Sequence, residues 1–362
     1  MSAFSEGEGA SVPSPFGPDE SLNLLSVVQM ARWRLEAGDE AGAIELVAGA
    51  AERGEADALQ ELALWHVFGR PFPRSFAVAH ELFARAARAG HRGAAITHAV
   101  LTALGAGCVE DWSRAVSLLR QAADSDVNAA TQIRLLRGMD LKPAGTPRTL
   151  PPVETVSPSP KLQIIRGFFT HEECRYMMER ARPYLAPSVV VDSRNGQQIL
   201  NPTRTSDDAV LGPVQMDLVV EALNRRIAAA TGTRVQQGEP VAVLRYRAGQ
   251  EFRLHHDCLP GEHNQRIITF ITYLNDDYEG GATSFPALGL ELKLRAGDGL
   301  FFRDVDGESK PEVRLRHAGR PVVSGEKWIS TRWIRQVDFD PWGMRVAAPV
   351  SEPSSFRGNG SA

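Results

Sequence analysis

The chain has 362 residues, 43% of them hydrophobic and 23% charged, and its formal net charge is −4. The length allows two domains, the composition is that of an ordinary globular protein, and the slight negative charge excludes the basic surface that nucleic acid requires. Its three cysteines are widely separated, which argues against a disulfide framework or a zinc site and favours a reducing, cytoplasmic compartment.

The first 20 residues are polar and acidic and are predicted to be disordered. They lack the basic and apolar segments of a signal peptide, and no apolar run in the chain is long enough to cross a membrane. We therefore expect a cytoplasmic protein without a membrane partner, while its oligomeric state stays open.

Residues 21–140 are predicted to be helical and to contain an internal repeat. Three similar segments, 45–58, 81–94 and 117–130, recur at a spacing of 36 residues, with alanine and leucine at corresponding places. Gly69 and Gly105 also correspond, and each is expected to end a helix. Such a period is typical of stacked helix pairs, and the pattern resembles Sel1-like repeats, relatives of the tetratricopeptide repeat. The array implies either a docking surface for a protein or peptide or a purely structural role.

The segment 141–161 is rich in proline and poor in apolar residues, which predicts a linker. A second domain is expected at 162–338, followed by a loose tail at 343–362. Two helices should open this domain, the first introduced by a capping box of Thr170 and Glu173 and the second ended by Gly232. Seven strand-like segments follow, the first at 241–247 and the last at 327–336.

One of these strands carries His255 and Asp257, and His317 follows sixty residues later. Residues i and i+2 of a strand point to the same face, so His255 and Asp257 can converge on one ion while His256 points away. Two imidazoles and one carboxylate form the facial triad of non-heme Fe(II) oxygenases. This geometry leaves three coordination positions, of which a 2-oxoacid can take two and O₂ the third.

The segments around these residues carry a wider pattern. Upstream stands Tyr246-x-x-Gly249-Gln250-x-Phe252, and downstream stand "RIITFITYLNDDYEGGATSFP" (266–286) and "HAGRPVVSGEKWISTRWI" (317–334). With "IIRGFFTHEEC" and the "RTS" at 204–206, this ensemble resembles the prolyl 4-hydroxylase family of Fe(II)/2-oxoglutarate dioxygenases over roughly residues 162–336. The resemblance implies a double-stranded β-helix, or jelly roll, with flanking helices. The whole chain is then a multi-domain α + β protein with an N-terminal helical repeat array.

The resemblance also implies a role for individual residues. The iron ligands would be His255, Asp257 and His317. Lys327 would pair with the distal carboxylate of 2-oxoglutarate, and Tyr246 and Thr283 would add hydrogen bonds to it. Trp333 corresponds to a tryptophan that closes the pocket near the metal, and Arg266 to an arginine that reaches toward a peptide substrate. The implied cofactors are Fe(II), 2-oxoglutarate and O₂, with L-ascorbate as a candidate reductant.

Strand alternation supports the role of the lysine independently. Lys327, Ile329, Thr331 and Trp333 share one face of the last strand, and an unpaired charge on an inward face is costly unless an anion binds it. We therefore expect a dioxygenase that hydroxylates a C–H bond, foremost a prolyl residue of a peptide or protein, with release of succinate and CO₂. The alternatives are the same chemistry on a free amino acid or small metabolite, or a non-catalytic repeat scaffold with a degenerate β-domain.

Overall fold

The computed structural model describes residues 26–191 and 198–343. The predicted disordered N-terminus at 1–20 lies outside these residues, as does the predicted loose tail beyond residue 343. The chain divides into two compact units, residues 1–134 and 135–362. None of the helices in the described ranges has the length and apolar composition needed to cross a bilayer.

Helices make up the described part of the first unit, as the repeat pattern predicts. Along the chain they are α1 (Val27–Glu36), α2 (Glu40–Glu52), α3 (Ala56–Phe68), α4 (Phe76–Arg88), α5 (Arg92–Leu104), α6 (Trp112–Ala122) and α7 (Val127–Gly138), the last of which runs into the second unit. Helices α2, α4 and α6 begin at residues 40, 76 and 112, so the predicted spacing of 36 residues is confirmed.

The two corresponding glycines end helices in the predicted way. Gly69 follows α3 with φ of 70°, and Gly105 follows α5 with φ of 68°. This left-handed conformation is the one in which glycine carries no steric penalty. Most of the aligned alanines of the first two repeats are buried, including Ala50 and Ala86, whereas Ala87 is half-buried and Ala130 of the third repeat is exposed.

The second unit contains two further helices, α8 (His171–Ala181) and α9 (Leu218–Thr231). The predicted capping box of α8 is present, since the Thr170 hydroxyl accepts from the Glu173 amide and the Glu173 carboxylate accepts from the Thr170 amide. Helix α9 ends before Gly232, as predicted, and begins at Leu218. The carboxylate of Asp217 accepts from two backbone amides of its first turn and fixes the start there.

Sixteen strands occur in the described part of this unit. They are β1 (Val153–Pro158), β2 (Lys161–Ile165), β3 (Ala186–Pro187), β4 (Val189–Val191), β5 (Gln198–Leu200), β6 (Asp207–Leu211), β7 (Val241–Arg247), β8 (Phe252–His255), β9 (Arg266–Tyr273), β10 (Glu279–Gly280), β11 (Thr283–Phe285), β12 (Leu290–Leu292), β13 (Gly299–Arg303), β14 (His317–Gly319), β15 (Val322–Ser324) and β16 (Glu326–Arg335).

Two antiparallel sheets dominate and enclose one core. The larger has the order β1-β2-β13-β9-β16-β7-β6-β3, and the smaller has the order β12-β11-β14-β8. Buried residues of both sheets share one cluster, in which Tyr273, Leu300 and Phe302 of the larger sheet meet Phe285 of the smaller. This arrangement is the predicted double-stranded β-helix.

The structure differs from the sequence-based expectation in the segment 141–161. Its residues 153–158 form β1, the edge strand of the larger sheet, which pairs with β2. Proline is tolerated at such an edge because the outward amides need no partner, so a proline-rich composition does not exclude a strand there. Earlier in the same segment, the backbone oxygen of Ala144 accepts a hydrogen bond of 2.7 Å from the Arg225 side chain of α9.

Candidate active site

The smaller sheet brings together the two histidines and the aspartate of the predicted triad. Strand β8 ends at His255, β14 begins at His317, and these two residues are register partners. The Nε2 atom of His255 lies 3.5 Å from Oδ1 of Asp257, and Nε2 of His317 lies 3.7 Å from Oδ2. One ligand atom from each residue lies within 4.8 Å of the others, and no second group of this kind occurs among the described residues.

Backbone carbonyls fix the orientation of both imidazole rings. Nδ1 of His255 lies 2.8 Å from the oxygen of Arg253, and Nδ1 of His317 lies 3.1 Å from the oxygen of Leu315. A carbonyl oxygen only accepts, so each Nδ1 carries a proton, and Nε2 is the ring atom that faces the centre and can bind a metal. Burial lowers the pKa of His317 to about 4, which favours the neutral, metal-binding form. The donor set therefore fits a divalent cation.

His256 points away from this centre, as predicted, although β8 ends at His255 and the predicted strand does not extend to Asp257. Its Nε2 lies 3.2 Å from the backbone oxygen of Glu312, and its Nδ1 accepts from the amide of Cys258 at 3.0 Å. The side chain therefore belongs to the packing between β8 and the segment before β14.

Two residues that the sequence analysis did not single out lie behind Asp257. The Thr269 hydroxyl is 2.6 Å from Oδ2 of Asp257 and 2.8 Å from Oδ2 of Asp304. Burial alone would raise the pKa of Asp257, but His317, His255 and Thr269 outweigh it and hold that pKa below its usual value. Burial and the nearby Asp257 charge raise the pKa of Asp304 well above its usual value.

The triad lies at a pocket that encloses about 430 Å³, including its open mouth. The four residues assigned to one face of the last strand all line it, namely Lys327, Ile329, Thr331 and Trp333. Apolar wall residues come from β7 and β9. Since β16 pairs with both of these strands, the pocket is built on the centre of the larger sheet.

Lys327 is a buried cation in this pocket. Its side chain is 2% exposed, and its Nζ donates to the backbone oxygen of Gly281 at 2.6 Å. Within the part of the chain that the structure describes, no carboxylate pairs with it. Burial lowers the pKa of Lys327 to about 7. An anion that enters the pocket would supply the missing countercharge.

Two tyrosine rings lie near this ammonium, with the ring centre of Tyr246 5.8 Å from the Lys327 Nζ. Tyr246 is the register partner of Lys327 and lines the pocket, as does Thr283. The Thr283 hydroxyl lies 2.6 Å from that of Tyr273, a residue the sequence analysis did not identify, whose ring centre is 5.3 Å from the Lys327 Nζ. Gly281 allows this packing for two reasons. Its φ of 64° would strain any residue with a side chain, and an added Cβ would lie only 3.2 Å from Cδ of Lys327.

Trp333 and Arg266 form a stack beside the pocket. The Arg266 guanidinium lies 4.0 Å from the ring centre of Trp333, and Trp333 lines the pocket. The Nε and Nη2 atoms of Arg266 donate to the Glu239 carboxylate at 2.6 and 2.8 Å. Arg266 itself does not line the pocket, whereas Arg204, from the "RTS" segment, does. The Nε1 atom of Trp333 is buried and has no acceptor among the described residues.

Comparison with known proteins identifies a family. Residues 241–335 match the 2OG-Fe(II) oxygenase superfamily. Prolyl 4-hydroxylase 1 of Arabidopsis thaliana is 36% identical over 204 residues, which cover 51% of this chain and 71% of that protein. Probable prolyl 4-hydroxylase 10 of the same plant is 33% identical, with coverages of 52% and 73%.

Two solved structures resemble parts of this chain. One is the viral collagen prolyl hydroxylase of Paramecium Bursaria Chlorella virus-1 in complex with 2OG, which is 27% identical in sequence. The match covers 49% of this chain and 96% of the viral chain, with a TM-score of 0.40. A Sel1 repeat protein from Oxalobacter formigenes is 23% identical, with a TM-score of 0.28, and covers 30% of this chain and 85% of its own.

Proposed function

We propose that this chain, which belongs to the prolyl 4-hydroxylase family of 2-oxoglutarate-dependent dioxygenases, hydroxylates a prolyl residue of a peptide or protein. The observation that carries the proposal is one pocket lined both by a centre of two histidines and one carboxylate and by a buried lysine that has no acidic partner in the described ranges. A cation site and an anion site in one cleft suit a metal and a dicarboxylate that chelates it.

The proposed iron ligands are His255, Asp257 and His317. When bound, Fe(II) and 2-oxoglutarate would supply a reaction with O₂ in which one oxygen atom enters succinate as CO₂ is released and the other becomes the hydroxyl group on the substrate carbon. The protein would offer two imidazole Nε2 atoms and one carboxylate, and the carbonyls of Arg253 and Leu315 hold the rings in place.

The proposed anchor for the distal carboxylate of 2-oxoglutarate is Lys327, assisted by the hydroxyls of Thr283 and Tyr246. Its ammonium is already desolvated, so binding of the carboxylate replaces an unpaired charge with a pair. Leu244 and Ile271 form an apolar wall that excludes water from this end of the pocket. Trp333 would close the metal end, where its unpartnered Nε1 can donate to a bound ligand.

The proposed substrate is a prolyl residue, because the plant relatives are named prolyl 4-hydroxylases. Arg266 would reach toward the peptide, which requires it to keep only part of its pairing with Glu239. The helical repeats would dock a protein substrate, as helical solenoids often do. A cytoplasmic location agrees with three cysteines that are all free.

The test is succinate release by the full chain with Fe(II), 2-oxoglutarate and ascorbate. Proline-containing peptides, free amino acids and buffer alone are compared, and mass spectrometry locates the added oxygen atom. The proposal predicts stimulation by a proline-containing peptide and oxygen on its proline ring. Stimulation by a free amino acid alone would support the metabolite alternative, and no succinate with any substrate would contradict the dioxygenase assignment.

Docking by the repeats needs a separate comparison. Removal of the first unit should raise KM for a protein substrate and spare a short peptide that carries the same target proline. Circular dichroism of the remaining unit controls for loss of folding. Equal loss on protein and peptide by a folded fragment would contradict docking.

A further inference from the structure

The buried Thr269 hydroxyl lies between the carboxyl groups of Asp257 and Asp304, and this group of side chains has more hydrogen-bond acceptors than donors. The Thr269 hydroxyl has one proton, yet its oxygen lies 2.6 Å from Oδ2 of Asp257 and 2.8 Å from Oδ2 of Asp304. All three side chains are buried, with Thr269 fully so and Asp304 at 1% exposure. An ionised carboxylate only accepts hydrogen bonds. Both short contacts can therefore be hydrogen bonds only if one of the two carboxyl groups carries a proton.

The surroundings decide which carboxyl group is protonated. Asp257 faces the imidazoles of His255 and His317 at 3.5 and 3.7 Å and the position proposed for the metal. A divalent cation held at that position would favour a negative charge on Asp257. The proton is therefore not expected there.

Asp304 has no comparable cation. Among the described residues no ion pair reaches it, and the nearby guanidinium of Arg266 is committed to Glu239 through two hydrogen bonds. The Cys258 thiol donates to the backbone oxygen of Asp304 and not to its carboxyl group. From the other side, the amide of Glu312 donates to that same backbone oxygen. A charge on the Asp304 carboxyl would be buried and unpaired, which is costly.

We propose that Asp304 is a neutral carboxylic acid that donates to Thr269 and so commits the only hydroxyl proton of Thr269 to Oδ2 of Asp257. Asp304 and Thr269 are positioning residues, and this role rests on the proposed metal site. The hydrogen bond to Oδ2 makes that oxygen the poorer donor, so Oδ1 is the Asp257 oxygen that would bind the metal. One-oxygen ligation keeps three coordination positions for 2-oxoglutarate and O₂, whereas a bidentate carboxylate would take one of them.

Infrared difference spectroscopy tests the protonation state directly. Spectra of the full chain and of Asp304→Asn are compared at about pH 8, where exposed carboxyl groups are ionised. The proposal predicts that Asp304→Asn removes a carbonyl stretch of a protonated carboxylic acid, which lies above the amide I band. The control is Asp298→Asn, since Asp298 is also buried but pairs with Arg166 at 2.9 Å. No loss in Asp304→Asn, or equal loss in both variants, would overturn the proposal.

Metal affinity tests the consequence for Asp257 without any turnover. Anaerobic titration with Fe(II) should give a Kd about 10- to 100-fold weaker for Thr269→Val, the usual effect of removing an outer partner of a metal ligand. Thr269→Ser should return Kd close to the wild-type value, and Asp304→Asn should do the same because its amide can still donate to Thr269. Unchanged affinity in a folded Thr269→Val would overturn the positioning role. Failure of the wild type to bind Fe(II) would instead defeat the proposed function.

Discussion

Replacement of Lys327 by methionine is the sharpest test of the cosubstrate site. The change keeps the length of the side chain and removes a charge that is 2% exposed and has one hydrogen bond of 2.6 Å, to Gly281. Loss of one partner from a buried charge pair costs about 2–5 kcal/mol. Since each 1.4 kcal/mol corresponds to a factor of ten, KM for 2-oxoglutarate should rise by roughly thirtyfold or more.

The pH dependence of binding provides a second measure of the same lysine. Burial lowers the pKa of Lys327 from 10.5 to about 7, so the free protein loses this proton above neutral pH while a bound carboxylate restores it. Affinity for 2-oxoglutarate should therefore be greatest below pH 7 and weaken by up to about tenfold per pH unit above it. Between pH 7 and 10.5 the unfolded chain holds the proton more firmly, so the free energy of unfolding should rise with pH in that window.

Isothermal titration calorimetry with 2-oxoglutarate measures the affinity at each pH. Repeating it in buffers of different ionisation enthalpy measures the proton uptake on binding. Proton uptake on binding should be present in the wild type above pH 7 and absent in Lys327→Met. The matched control is Lys310→Met, because the Lys310 side chain is 71% exposed and outside the pocket. An unchanged KM in Lys327→Met would refute the reasoning and implicate Arg204, since Arg266 and Arg332 are held by Glu239 and by backbone oxygens.

Three further predictions concern the metal, the buried ion pairs and the unit boundary. Alanine in place of any triad residue should abolish Fe(II) binding and turnover. His256→Ala should retain iron, as measured by metal analysis of the purified protein. Loss of iron from His256→Ala would show that the His256 ring is not turned away from the metal. Glu239→Gln should lower the free energy of unfolding in urea by about 3–5 kcal/mol, because Glu239 is buried and pairs with two arginines, and unchanged stability would show that these pairs contribute nothing. A fragment from residue 151 should be less stable than one from residue 141 by about 1.5–3 kcal/mol, because it lacks the Ala144 oxygen that Arg225 binds, and equal midpoints in denaturant would contradict this.

Local patterns in the sequence determined much of this protein. The 36-residue period predicted the spacing of α2, α4 and α6, because stacked repeats place equivalent helices at a constant interval. Strand alternation placed Lys327 and Trp333 on one face, and both line the pocket. The capping box of Thr170 and Glu173 predicted the start of α8 because the partners are three residues apart.

Contacts between distant segments were decided by the tertiary structure alone. Thr269 and Asp304 are 35 residues apart, and Arg266 meets Glu239 across 27, so no spacing rule links the members of either pair. Strand β1 in the proline-rich segment exists because β2 offers it a partner at the sheet edge. A side chain acquires its charge state and its role from the groups that surround it, and those groups are assembled only when β9, β13 and β16 pair into one sheet.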